Sequence, residues 1–261
     1  MVTATRFAFL DWPGPIAFAH QGGAAEFPGN TMKAFDGAIA LGYRYLETDL
    51  QATSDGVLIV FHNDTLDETT DHSGTIAKLP WSVVKEARVG GTEPIVRFEE
   101  VLEAHPEARF NIEPKTDAAV GPFIDAVRRT GVIDRICCGS FSDGRLRTIR
   151  KALGQSLCTS MGNLAVVRMR IASWVPIRSV AKALGRTDAA CVQVPPKKSI
   201  IPIVDRRFVA LAQELGLGVH VWTIDDADTM NRLLDLGADG IMTDKPSVLK
   251  DVLVQRGQWV V

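Results

Sequence analysis

The sequence predicts an α/β fold, a (β/α)8 TIM barrel with a small insertion after the second barrel strand. Three observations carry this. Short apolar runs alternate with amphipathic helical patterns along most of the chain, as in a parallel sheet covered by helices. Nine strand candidates begin near Ile16, Arg44, Val57, Ala108, Arg135, Ser156, Ala190, Gly218 and Gly240, and a turn signal removes one of them from the barrel. The length of 261 residues at 46% hydrophobic suits one barrel of about 250 residues.

The elements follow in order. Ile16–His20 reads as a strand. Residues 30–41 read as a helix capped by Asn30 or Thr31, with Met32, Phe35 and Ile39 on its apolar face and Gly42 as its stop. The run from Arg44 carries Glu47 and Asp49, then reaches Ser54-Asp55-Gly56-Val57, a hairpin signal. A parallel crossover needs about a dozen residues, so the Val57–His62 run returns as an antiparallel ribbon. A two-residue turn at Asp55-Gly56 pairs Ser54 with Val57 and sets Asp49 opposite His62. Residues 63–97 form the small insertion, with a short helix pattern at 81–87 and a break at Gly90-Gly91. A barrel helix follows near 98–104. Towards the C-terminus Asp205 and Asp226 each open a helix that a glycine ends, Gly216 and Gly237, and each helix leads into a strand. No linker or low-complexity tract divides residues 1–261, which read as a single domain.

Bulk properties exclude several function classes. The net charge is −2 with Lys and Arg scattered, which argues against nucleic acid as a partner. No run approaches the roughly 20 apolar residues of a membrane span, and Phe7–Leu10 is too short for a secretory core. Cys137, Cys138, Cys158 and Cys191 sit in apolar runs with neither zinc nor disulfide spacing. They read as buried free thiols in a reducing compartment, the cytoplasm.

The candidate chemistry lies at strand ends. "NIEPK" places Glu113 near the end of the next barrel strand and Lys115 two positions on. With Glu47 and Asp49 this converges three carboxylates on one rim, where they would repel unless a hard divalent cation, Mg2+ or Ca2+, binds them. For any one of these acids alone a surface salt bridge is the simpler reading. His20 ends the first strand in "AFAHQGG", and Gly22-Gly23 lets backbone approach a ligand closely. His20 and His62 suit an acid/base pair because the imidazole pKa lies near operating pH. His72, His105 and His220 have weaker cases; His220 is on a strand, but Trp222 is the same-face residue nearer its end.

Six stretches together resemble the glycerophosphodiester phosphodiesterases: "AHQGG…FPGNTMKAF…LGYRYLETDLQATSDGVLIVFHND", "NIEPK", "GSF", "VQVPP", "VHVWTIDD" and "LGADGIMTDKP". They run in order from about Ile16 to Pro246. The resemblance implies hydrolysis of a small glycerophosphodiester to glycerol 3-phosphate and an alcohol, with one divalent cation. It implies metal ligands Glu47, Asp49 and Glu113, acid/base residues His20 and His62, a phosphate-contacting Lys115 and a mouth-lining Trp222. Three positions depart from the family pattern. Gln21 stands where arginine is usual, leaving a neutral donor to phosphate. Gly29 replaces the acid of "PENT", and Asn63 replaces the aspartate after the second histidine.

Two other functions fit the same residues. A lysophospholipase D would keep the site and add an apolar channel. A catalytically silent phosphodiester-binding module would bind without turnover. The stretch 164–185 mixes Arg168, Arg170, Arg178 and Lys182 with apolar residues and Trp174. It reads first as a barrel helix broken at Pro176 with Trp174 packed beneath a loop. Its second reading is a surface for weak peripheral membrane contact.

Overall fold

The computed structural model describes residues 7–260. Strand β1 (Ile16–Ala19) leads through helix α1 (Met32–Ala40) to β2 (Tyr45–Ala52), which turns back as β3 (Leu58–Val60). The insertion holds helix α2 (Trp81–Val84) and a minimal hairpin, β4 (Arg88–Val89) with β5 (Glu93–Pro94), turning at Gly90-Gly91. Helix α3 (Phe98–Ala104) returns the chain to β6 (Arg109–Pro114), and α4 (Val120–Thr130) leads to β7 (Ile136–Cys138). Helix α5 (Asp143–Leu153) precedes β8 (Cys158–Thr159), and α6 (Asn163–Ala172) with α7 (Arg178–Gly185) precedes β9 (Cys191–Val194). A second small hairpin, β10 (Lys197–Lys198) with β11 (Ile201–Pro202), stands before α8 (Arg206–Glu214). The pattern finishes with β12 (Gly218–Val221), α9 (Ala227–Asp235), β13 (Gly240–Thr243) and α10 (Pro246–Gln255).

The main sheet runs β8-β7-β6-β2-β1-β13-β12-β9, with β3 paired onto β2. Backbone bonds from Ala190 N to Thr159 O (2.8 Å) and from Met161 N to Cys191 O (3.0 Å) join its two ends. The eight parallel strands therefore form a barrel, as the strand count predicts. Both faces of each strand are covered, which is why these runs read as continuously apolar.

The caps follow the sequence signals. Thr31, Asp205 and Asp226 each accept a backbone N–H three residues on, from Ala34, Phe208 and Thr229. Thr31 is thus the cap of α1, and Asn30 is free for another role. One core layer lies between barrel and helices, and a second fills the barrel below the strand ends. In the second, Phe9 plugs the base, its carbonyl accepting from the Tyr45 hydroxyl at 2.7 Å. Cys137, Cys158 and Cys191 meet there, their sulfurs all within 4.8 Å of one another, while Cys138 packs in the outer layer. All four thiols are free and buried. Sequence spacing could not reveal the trio, because adjacency across neighbouring strands, not along the chain, brings it together.

One register expectation is corrected. The ribbon pairs Leu50 with Val60 and Ala52 with Leu58, and Phe61 N donates to Asp49 O at 2.9 Å. Asp49 therefore lies opposite Phe61, one residue short of His62. The cause is a three-residue loop. Gly56 N donates to Thr53 O at 3.0 Å, and Gly56 takes a left-handed φ of 81° that closes the turn as a bulge. The Leu164–Gly185 stretch breaks at Pro176 into α6 and α7 as expected. Trp174 is nonetheless not covered by a loop: it is half exposed, with the Arg170 guanidinium 4.4 Å from its ring centre.

Candidate active site

A cavity of about 860 Å³ opens at the C-terminal end of the barrel, where active sites of this fold sit. Its wall includes His20, Glu47, Asp49, His62, Glu113 and Lys115, and also Trp222. The strands deliver these groups. Glu47 and Asp49 lie two apart on β2 and so share one face, and Asp49 is level with Glu113 on β6.

His20 begins the tight turn after β1. Its Nδ1 lies 2.6 Å from Asp244 Oδ1, and its Nε2 lies 3.7 Å from Glu47 Oε2. A carboxylate only accepts, so Nδ1 carries the proton. Burial alone lowers the His20 pKa, but Glu47, then the hydrogen bond and charge of Asp244, then Asp49 outweigh it and raise it to about 9. Asp244 is held in turn by Asp225, whose Oδ1 accepts from Asp244 N at 2.8 Å and from the Thr243 hydroxyl at 2.9 Å.

The carboxylates are buried and crowded. Burial pushes the Glu47 carboxyl well up, and Asp49 pushes further, against His20 and the Gln21 backbone N–H. Burial also raises Glu113, with Lys115 opposing. Lys115 Nζ lies 3.4 Å from Asp49 Oδ1 and 3.3 Å from Glu113 Oε2. Burial lowers the Lys115 pKa, yet these two carboxylates raise it overall, so it stays an ammonium. The set of hard oxygen donors, short of positive charge, fits Mg2+ or Ca2+. The three carboxylates are set wider than the thiol trio, the one group among the described residues whose potential ligand atoms all lie within 4.8 Å.

His62 stands beyond the ribbon, held by neighbours. Gln51 Nε2 donates to Asn63 O at 3.1 Å and Asp64 Oδ1 at 3.0 Å, pinning the chain that carries it. Asn63 Nδ2 donates to Glu68 Oε2 at 2.8 Å, which turns the amide oxygen towards His62 Nδ1 at 2.6 Å. Nδ1 thus bears the proton, leaving Nε2 as the nitrogen that can accept one. The remaining histidines lie apart from this chemistry. His220 is buried inside the barrel beside Gln193, His105 contacts Asp36 outside it, and His72 pairs with Asp71 in the insertion.

The first turn has contacts that the sequence did not announce. Gly22 and Gly23 do take positive φ, but a Cβ on Gly22 would lie 2.7 Å from Ala34 and one on Gly23 2.7 Å from Pro246. The close approach serves α1 and α10. Gln21, expected on phosphate, donates its backbone N–H to Glu47 at 3.0 Å and an amide N–H to Asp49 at 3.2 Å. Asn30, read only as a cap candidate, also donates to Asp49, at 3.1 Å, and accepts from Thr48. Gly29 adjoins this pair: a Cβ there would lie 2.8 Å from Gln21 Oε1. Asp244 and Asn30 are the residues that sequence reasoning missed. Asp244 had a signal, an acid one residue past a strand that runs beside β1.

Comparison with known proteins places this site in context. Residues 20–248 match the Glycerophosphoryl diester phosphodiesterase family. A probable glycerophosphodiester phosphodiesterase 2 of Mycobacterium tuberculosis is 36% identical over 257 residues, 98% of this chain and 97% of that protein. A lysophospholipase D of Rattus norvegicus is 26% identical, covering 90% of this chain and 85% of its own. The crystal structure of an Oleispira antarctica phosphodiesterase in complex with the product sn-glycerol-3-phosphate superposes with a TM-score of 0.76 at 22% identity. It covers 92% of this chain and 97% of its own. The chain belongs to the glycerophosphoryl diester phosphodiesterase family, a family of phosphoric diester hydrolases.

Proposed function

We propose that this protein hydrolyses glycerophosphodiesters to glycerol 3-phosphate and an alcohol, using His20 and His62 for proton transfer and Glu47, Asp49 and Glu113 to hold one Mg2+ or Ca2+ ion. The observation that carries this is the meeting of two imidazoles, each held at Nδ1 by a neighbouring acceptor, with three carboxylates and a lysine on one cavity wall. Bound by those carboxylates, the cation supplies Lewis acidity and neutralises phosphate charge.

The chain's own groups do the rest. His20, steered by Asp244, whose carboxylate holds its Nδ1 proton and favours the imidazolium, serves as the general acid for the leaving alkoxide. His62, with its Nδ1 proton on Asn63, accepts the proton of the attacking oxygen through Nε2. Lys115 holds a positive charge where the phosphoryl oxygens gain negative charge. Gln21 and Asn30 act one step back, by orienting Asp49 and Glu47. The four free thiols support a reducing, cytoplasmic setting.

A second substrate reading has its own support. One cavity wall is apolar, with Met161, Val167, Ile171, Trp174, Ile201 and Ile203, and it can take the alkyl chain of a lysophospholipid. The test is release of glycerol 3-phosphate from glycerophosphocholine, with Mg2+, Ca2+ or chelator, by wild type and His20→Ala. Turnover that ignores both chelator and substitution rejects the mechanism. Cation-dependent binding without turnover identifies a silent binding module. Faster turnover of lysophosphatidylcholine selects the second substrate class.

A further inference from the structure

We propose that the α6–α7 face and the β10–β11 tip form a membrane-docking surface that sets the cavity mouth on an anionic lipid interface. The inference rests on reading the cavity as the active site, and adds the surface from which it draws substrate.

Two helices carry the same exposed apolar spacing. Leu164, Val167 and Ile171 recur along α6 at three and four residues, and Ile177, Val180 and Leu184 repeat that spacing into α7. A helix on a barrel normally turns such a stripe inward. Here the inward side of α6 is supplied by Met169, Arg170 and Ala172, so the stripe is left over. Arg170 is neutralised by Asp205 at 2.8 Å, which lets a charged residue occupy the inner side. At the β10–β11 tip, Ile200 is 93% exposed and follows Ser199, whose positive φ of 54° makes the turn. Exposed apolar side chains in this number, on adjoining elements, mark an interaction surface.

Charge and continuity identify the partner. Residues 164–201 contain seven Lys or Arg and one acid, Asp188, although the whole chain carries −2. Arg170 pairs with Asp205, and Arg178 and Lys182 pair with Glu214, which leaves Arg168, Arg186, Lys197 and Lys198 as the basic residues outside these ion pairs. Basic residues bordering an apolar helical face suit an anionic lipid surface, where the apolar side chains enter the headgroup boundary. Val167, Ile171, Trp174 and Ile201 belong both to this face and to the cavity wall. An amphiphile with its tail in the bilayer would therefore reach the phosphodiester site along the apolar wall of the cavity. No helix among the described residues is long and apolar enough to cross a membrane, so contact of this kind is peripheral.

The test is co-sedimentation with phosphatidylglycerol/phosphatidylcholine vesicles and with pure phosphatidylcholine vesicles. Wild type is compared with the triple variant Leu164→Ser, Ile177→Ser, Ile200→Ser. These positions are 75%, 61% and 93% exposed and none lines the cavity, so folding and turnover of soluble glycerophosphocholine stay unchanged. Expected are binding to anionic vesicles that salt weakens, and a loss of about tenfold or more in the triple variant. A second variant, Arg186→Glu with Lys197→Glu, keeps the apolar stripes and also loses anionic-vesicle binding. Wild type that ignores anionic vesicles, or a triple variant that binds them equally, overturns the proposal. So does a wild-type dimer in sedimentation velocity that the triple variant converts to monomer without any vesicle binding, which makes the face a contact between copies.

Discussion

Asp244 can be tested quantitatively, because its effect on His20 is separable from catalysis. Asp244→Asn removes an anion 2.6 Å from His20 Nδ1 while keeping side-chain size. A hydrogen bond to a charged group contributes about 1.5–3 kcal/mol. One pKa unit corresponds to about 1.36 kcal/mol, so the His20 pKa should fall by about 1–2 units from its raised value. The sign follows from charge: the imidazolium loses its partner, so its proton leaves at lower pH. The direct assay is an NMR titration of the His20 ring in cation-free protein. The kinetic assay is the pH profile of kcat, whose alkaline limb should move acidward by the same interval if His20 is the acid. The asparagine can also turn its NH2 to Nδ1 and upset the tautomer, so kcat at neutral pH should drop by tens-fold or more. An unmoved titration, with the fold intact, would refute the claim that Asp244 holds His20 in its charged form.

Other consequences are testable. Gln51→Met leaves the Asn63 carbonyl and the Asp64 carboxylate without their donor; thermal denaturation should show about 1–3 kcal/mol lost, and kcat should fall more than KM rises as His62 drifts. Cation affinity by calorimetry should rise between pH 5 and 8, by up to about tenfold per unit for each proton displaced, because Glu47 and Glu113 hold protons unusually tightly; a flat profile would remove them as ligands. His20 has a folded pKa above its ordinary 6.5, so its stabilising contribution is complete below 6.5 and is lost as pH rises through about 9. Cation-free wild type should lose stability across that window by urea unfolding, about 3 kcal/mol of it from His20, and His20→Asn should show a shallower slope, the remainder coming from the tightly held Glu47 proton. Gly29→Ala sets a Cβ 2.8 Å from Gln21 Oε1, and should push Gln21 off Asp49 at a cost of about 1 kcal/mol; an unchanged melting temperature would show that Gln21 gives way freely.

Much of the architecture is legible from local pattern. Strands buried on both faces read as apolar runs, and capping acids such as Asp205 and Asp226 mark helix starts by a mechanism that needs no tertiary context. The Ser54-Asp55-Gly56 turn was legible as a turn but not as a register. Two- and three-residue loops both accept glycine at the end, and only ribbon packing chose the bulge that set Phe61, not His62, across from Asp49. His62 still reaches the cavity because Gln51 holds the following backbone, a contact between residues whose pairing the chain order does not reveal. Asp244 was hidden for a related reason. It neighbours His20 because β13 pairs with β1 as Ala19 with Thr243, across 224 positions of sequence. Gln21 and Asn30 reach Asp49 from left-handed backbone, φ 50° and 58°, conformations that no helix or strand pattern announces.

The sulfur trio within the barrel has a practical consequence. Cys137, Cys158 and Cys191 are almost fully shielded, so a water-borne alkylating reagent should meet them only when the staves part. Their labelling rate therefore becomes a clock for opening of the barrel wall, and Cys138, packed in the outer layer, gives a second reading. Once opened in air, three neighbouring thiols can couple in wrong pairs. Heat damage should then be permanent without reductant and largely reversible with it.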